Sequence, residues 1–225
     1  MDLIIFDADG TLFDTVYFYV ETYHQLYKQL DLFIPRSKIH RHIGMGADKA
    51  IRRLCPPEWL IRHGHDILSQ GREYYIRHFL SSVEIFPKTN EFITKLKEDG
   101  KKIALATMSS GEVVKKYLEL LDDGIQFDFV TTSCDVKHSK PDPDIFLSVM
   151  EEFPDIPKEK ICVIGDSNWD IIAAQNAGIA SIGVLSGGYP RGELNEAGAL
   201  FVKEDIAELY DNYCSLGDTL FLKRM

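Results

Sequence analysis

The chain has 225 residues, of which 45% are hydrophobic and 27% charged, and its formal net charge is -10. That length fits one sizeable core with an appendage, and the composition is that of an ordinary folded protein, which excludes disordered and fibrous classes. The acidic balance argues against nonspecific nucleic-acid binding and against adhesion to an anionic membrane, since both need a basic field, so neither partner is expected.

The run LIIF at Leu3–Phe6 is short and apolar with two β-branched residues at its centre, and it stops at Asp7. It reads as a buried strand, too short for a signal h-region or a membrane span. Cys55, Cys134, Cys162 and Cys214 are widely spaced and form no CxxC pair, so free thiols in a reducing compartment are expected. Both points indicate a cytoplasmic protein.

From about Val16 to about Ser82 the pattern is helical throughout, as in YFYVETYHQLYKQL and REYYIRHFL, with turn signals at Pro35, Gly44 to Gly46, Pro56 and Pro57. From Thr89 onward the rhythm changes. Apolar runs IALA before Thr107, FDFV before Thr131, ICVI before Gly165 and ASIGV before Leu185 alternate with helical stretches. NEFITKLKEDG stops at Gly100 and IIAAQNAG at Gly178, each with glycine where a helix C-terminus wants it. Unalternated runs of this length suit strands covered on both faces of a parallel sheet. The predicted fold is therefore α/β, a doubly wound parallel sheet built from residues 1–15 and 83–225, with an inserted α-helical unit over 16–82. No repeat or low-complexity stretch is present, and the tail from Ser215 to Met225 carries no pattern.

In an open parallel sheet, ligands bind beyond the carboxyl ends of the strands. Asp7 with Asp9, Thr107 and Asp166 fall there, and Lys140 in SKPDPDIF opens a further helix. Asp7 and Asp166 together make a hard oxygen site suited to Mg²⁺, which uses one or two carboxylates plus substrate phosphate. The metal and Lys140 supply positive charge, and the Thr107 hydroxyl a donor, so the set can balance a phosphoryl group inside an acidic protein. A carboxylate can also attack phosphorus: Asp7 as nucleophile and Asp9 as acid and base divide the work between two neighbouring acids.

These residues carry a resemblance. DADGTLFD at Asp7 to Asp14 resembles the first motif of the haloacid dehalogenase superfamily, IALAT ending at Thr107 the second, Lys140 in KPDPDIF the third, and GDSNWD at Gly165 to Asp170 the acidic fourth. The ordered set spans the chain. The resemblance implies a Rossmann-like fold with a helical cap, and an Mg²⁺-dependent phosphatase acting on a small phosphate ester through an aspartyl-phosphate. It implies Asp7 as nucleophile, Asp9 as acid/base with its backbone carbonyl on the metal, Asp166 completing the metal site, Thr107 and Lys140 holding the phosphoryl, and Asp170 in support. Asp9 separates the chain from the dehalogenases proper and the phosphonate-cleaving branch. The phosphoglycolate phosphatase-like group, with GMGADK in the cap and GGYPRGEL late in the chain, is the nearest likeness. A β-phosphoglucomutase-like activity is disfavoured because Tyr19 stands where those enzymes carry a His and Ala47 where they carry an Arg. A noncatalytic binding protein on the same scaffold is the other alternative.

Plainer roles compete at several positions. Asp14 could cap the helix that follows it. Asp170 could be a first-turn helix acid favoured by the dipole. Lys137 rivals Lys140, although Pro141 at a helix N1 position favours Lys140. The pairs His40/His42 and His63/His65 lack acidic partners at ligand spacing and read as solvated. GMGADK lacks the spacing of a phosphate loop. Arg41, Lys49, Arg52 and Arg53 form either a solvated face or a set reaching over the site to hold an anionic leaving group. Oligomeric state leaves no trace in the sequence.

Overall fold

A computed structural model of the chain describes residues 1–222. Six strands form one sheet in the order β3-β2-β1-β4-β5-β6, with every pairing parallel. β1 (Leu3–Phe6) lies between β2 (Lys102–Ala106) and β4 (Ile161–Gly165), and Phe6 is level with Leu105 and Ile164. β3 (Phe129–Thr131) extends one side; β5 (Ala180–Val184) and β6 (Val202–Lys203) extend the other.

The unalternated runs are explained by burial on both faces. Ile4 and Phe6 enter an apolar layer with Phe92, Ile93 and Leu96 of the helix Thr89–Glu98 and with Ile206 and Leu209 of Ile206–Leu216. Leu3 and Ile5 point the other way, onto Ile145, Phe146 and Val149 of Asp144–Glu152 and Ala173, Ala174 and Ala177 of Asn168–Ala177. The last of these helices ends at Gly178, whose φ of 75° supplies the left-handed C-cap read from the sequence.

Three details differ from the sequence reading. Thr131 is the last residue of β3 and bonds Ser148, so it does not stand past the strand. β6, two residues long, is too short to leave a periodic signal. In the tail, Leu220 and Phe221 are buried in the first apolar layer; residues 223–225 lie outside the described residues.

Over residues 16–82 the chain forms five helices and a 3-10 turn, with no strand: Val16–Gln29, Arg36–His40, Ala47–Leu54, Pro57–His63, Ile67–His78 and Leu80–Ser82. These helices share their own apolar cluster, which includes Val20, Tyr27, Ile39, Ile51, Trp59 and Ile67. The chain leaves and re-enters the sheet region at adjacent points, because Asp14 N–H donates to Glu84 O and Phe86 N–H to Leu12 O, both at 2.9 Å. Among the described residues no helix is long and apolar enough to cross a membrane. All four cysteines are free.

Candidate active site

Strand order reverses at β1, so the carboxyl ends of β1, β2 and β4 border the switch point where a crevice opens. Asp7 follows β1 directly and is tied to β4 by its N–H to Ile164 O at 2.9 Å. Asp166 follows β4, and Thr107 follows β2. The fold therefore brings three sequence-distant residues to one edge.

Lys140 joins them with its ammonium fully buried. It donates to Asp7 Oδ1 at 2.6 Å, to Asp170 Oδ1 at 2.7 Å and to Ala106 O at 3.3 Å. Pro141 is not at a helix N1 position: the helix starts at Asp144 with Pro143 as its N-cap, and the Lys140–Pro141 bond is cis. Lys137 is exposed and contributes nothing to this cluster.

Asp170 combines both roles weighed for it. Its Oδ2 accepts from Ser167 N–H at 3.1 Å and Ser167 Oγ at 2.5 Å, closing a capping box at the start of Asn168–Ala177. Its other oxygen holds Lys140. Asp14 is exposed and does not cap; Thr15 occupies the N-cap of the first helix.

Carboxylate oxygens of Asp7, Asp166 and Asp170 all lie within 4.8 Å of one another, and all three residues are buried. One ammonium faces three acids, so the cluster as a set of charges lacks a cation. The consequence is visible in the protonation equilibria. Burial, then the nearby Asp170 and Asp9, push the Asp7 carboxyl up to about 8 against the opposing pull of Lys140. Burial together with Asp170 and Asp7 raises Asp166 well above the carboxylate range. Burial alone would lower Lys140, but Asp170 and Asp7 hold it above its ordinary value. Among the described residues Asp166 has one weak side-chain partner, Thr11 Oγ1 at 3.4 Å, and Gly10 and Gly187 pack against its carboxylate so closely that a side chain at either would collide with it. Hard oxygen donors, under-compensated negative charge and a glycine-lined approach fit a divalent cation.

The Asp9 side chain turns away from this cluster. It accepts from Ser109 Oγ at 2.6 Å, Thr15 Oγ1 at 2.8 Å, Tyr117 Oη at 2.8 Å and Thr107 Oγ1 at 3.3 Å. Burial raises its pKa, and the hydroxyl donors oppose that rise. Thr107, expected on the phosphoryl, has its hydroxyl on Asp9 and on Ser109 N–H in this state. Around Asp9 the structure adds residues that the sequence reading did not place in the site. Tyr75 bonds Tyr117 at 2.5 Å, Tyr19 bonds Ser109 at 2.7 Å, and the rings of Tyr19 and Tyr75 stack at 4.2 Å. Burial foremost, with Asp9 next, raises the phenols of Tyr19, Tyr75 and Tyr117, which keeps them protonated as donors.

The histidine pairs divide. His65 is exposed beside Asp66, and His63 packs near Trp59. His40 is not a solvated group: its Nε2 bonds Gly187 O at 2.8 Å, beside the ring of Tyr189. Tyr189 in turn donates to Ile43 O at 3.1 Å, so the late glycine-rich loop holds the helical segment.

A model of the family described as haloacid dehalogenase-like hydrolase matches residues 4–184. The chain belongs to this family. The membership accords with the four motif segments lying at one sheet edge. Over 217 residues the chain is 29% identical to a phosphoglycolate phosphatase of Vibrio parahaemolyticus, covering 93% of this chain and 94% of that one. Over 201 residues it is 30% identical to a phosphorylated carbohydrates phosphatase of Thermotoga maritima, covering 89% and 93%. Its structure matches that of a hydrolase from Pseudomonas syringae with a TM-score of 0.84 at 30% identity, covering 96% of this chain and 99% of that one.

Proposed function

We propose that this hydrolase cleaves a small phosphate monoester, of the phosphoglycolate or sugar phosphate type, through a phosphoryl group carried on Asp7. The observation that carries the reading is the buried set of Asp7, Asp166 and Asp170 against the single ammonium of Lys140. Such a set is unfavourable by itself and becomes balanced when a divalent cation is bound, which leaves Lys140 and the cation to meet the charge of an incoming phosphoryl group.

Mg²⁺ is the cation proposed, held by Asp7, Asp166 and the backbone carbonyl of Asp9, with Asp170 in support; bound there, it would offset charge on the phosphoryl oxygens. A carboxylate oxygen of Asp7 forms a bond to phosphorus as the bond to the leaving oxygen breaks, and Asp9 gives that oxygen a proton. Asp9 then takes a proton from the water that attacks phosphorus, releasing phosphate and restoring Asp7. Burial of Asp9 favours its arriving protonated. Lys140 and Thr107 position the phosphoryl. Asp9 accepts hydrogen bonds from the hydroxyls of Thr107 and Ser109, so acid, base and phosphate donors belong to one network.

In the same reading, residues 16–82 form a cap over the core of residues 1–15 and 83–225. Their separate apolar cluster and adjacent entry and exit points support this. The free thiols suit a cytoplasmic setting. Of the alternatives, Tyr19 disfavours the mutase: its ring is stacked on Tyr75 and its hydroxyl is engaged by Ser109.

The test is phosphate release from p-nitrophenyl phosphate by the full chain. Hydrolysis with Mg²⁺, loss in EDTA and recovery on readdition are expected. Hydrolysis that persists in EDTA would remove the metal from the reading, and a phosphorylated product in place of free phosphate would favour the mutase.

A further inference from the structure

Between the helical segment and the sheet edge lies a chamber of about 580 Å³ that reaches Asp7 and Asp9 and is walled by Tyr19, Tyr23, Ile43, Met45 and Tyr75. That volume falls within the roughly 300–1,000 Å³ of sites that enclose ring-sized and larger ligands. Glycolate or a second phosphate would fill little of it.

The charges around the chamber indicate what it excludes. Four cations were available from the segment above the site, yet Arg41, Lys49, Arg52 and Arg53 do not line it. Three are held elsewhere. Arg41 pairs with Glu193 at 2.6 Å, Lys49 donates to Asp142 at 2.7 Å and to Ser139 O, and the Arg53 guanidinium stands 5.0 Å from the centre of the Trp169 ring. They fasten the segment to the helices Arg191–Glu196 and Asn168–Ala177 and to the loop that carries Ser139 and Asp142. Arg72, Lys137 and His65 line the chamber but are solvent-exposed, where screening weakens them, and His42 bonds Lys38 O. An anionic leaving group would enter beside Asp7, Asp9 and Asp48, and no buried cation lines the chamber to meet it.

Its polar atoms suit neutral hydroxyls. Ser110 lines the chamber at the N-cap of the helix Gly111–Leu118, yet its Oγ makes no capping bond and is buried with no partner among the described residues. Tyr23 brings a phenol hydroxyl to the same wall. Tyr19, Tyr23 and Ile43, each partly exposed, offer apolar surface against which the C–H face of a saturated ring can pack.

We propose that the leaving group is an uncharged, ring-sized polyol, so that the substrate is a sugar phosphate and small anionic alcohols and pyrophosphate are poor substrates. This rests on the phosphatase reading above. A panel of hexose phosphates, phosphoglycolate and pyrophosphate is assayed with the full chain and Mg²⁺, with p-nitrophenyl phosphate as reference. The best hexose phosphate is expected to exceed phosphoglycolate and pyrophosphate in kcat/KM by about tenfold or more, the discrimination that pocket contacts supply. Ser110→Ala is expected to raise KM for that hexose ester about three- to tenfold more than for p-nitrophenyl phosphate, which has no ring hydroxyl to offer. Phosphoglycolate or pyrophosphate matching every hexose ester, or turnover confined to the aryl ester, overturns this inference alone. No turnover of any ester, the aryl one included, overturns the phosphatase reading and this inference with it.

Discussion

Replacing Lys140 by Met tests whether the buried ammonium balances the acids around it. The side chain has no exposed surface, and its ammonium sits 2.6 Å from Asp7 and 2.7 Å from Asp170, 5.3 Å from the centre of the Phe146 ring. Methionine keeps the apolar stem and removes the charge. Breaking a buried pair by deleting one partner typically destabilises by about 3–5 kcal/mol. Part of that is avoided if Asp7 takes up a proton, and its carboxyl is already pushed up to about 8 with Lys140 present. Without the ammonium it rises further, so the folded variant binds more protons than the unfolded chain and its stability falls as pH rises. In EDTA, urea denaturation should therefore show a larger deficit at pH 9.5, where Asp7 beside the ammonium has ionised and Asp7 beside methionine has not, than at pH 5.5, where it is protonated in both. Equal stability of the two proteins at pH 9.5, or a deficit that shrinks as pH rises, would refute the balance argument.

Two further outcomes follow from the acids. In EDTA the unmutated protein should lose thermal stability between pH 5.5 and pH 8, because the raised Asp7 and Asp166 stabilise the fold while protonated and cease to do so on ionising; Mg²⁺ should raise Tm more at pH 8 than at pH 5.5, and equal rises would count against a cation at these carboxylates. A methyl at residue 187 would overlap the Asp166 carboxylate, so Gly187→Ala should increase the Mg²⁺ concentration for half-maximal Tm shift by about 10–100-fold, whereas an unchanged midpoint would detach Asp166 from the metal.

The sequence made the sheet legible because burial on both faces leaves continuous apolar runs, and Gly100 and Gly178 mark helix ends by a backbone requirement that few other residues meet. The edge residues were legible for a related reason: a residue just beyond a strand has a predictable edge position, so Asp7, Thr107 and Asp166 group together from their places after the apolar runs. Lys140 reached the cluster through a loop geometry different from the helix start expected of Pro141. The phenols around Asp9 were not legible as a group. Tyr75 and Tyr117 sit in helical stripes where a core tyrosine and a hydrogen-bonding one look alike, and only the fold brings their hydroxyls 2.5 Å apart. The cations of the helical segment were legible as charge but not as direction, since Glu193, Asp142 and Trp169, their partners, lie far away in sequence.

The most direct test is to quench the reaction with acid during steady-state turnover of p-nitrophenyl phosphate and find, by mass spectrometry, which peptide carries a phosphoryl group. A base-labile phosphoryl on the N-terminal peptide at Asp7, absent from Asp7→Asn protein that remains folded, is the expected result. Full turnover by Asp7→Asn, or a phosphoryl group on any other residue, would contradict the central claim.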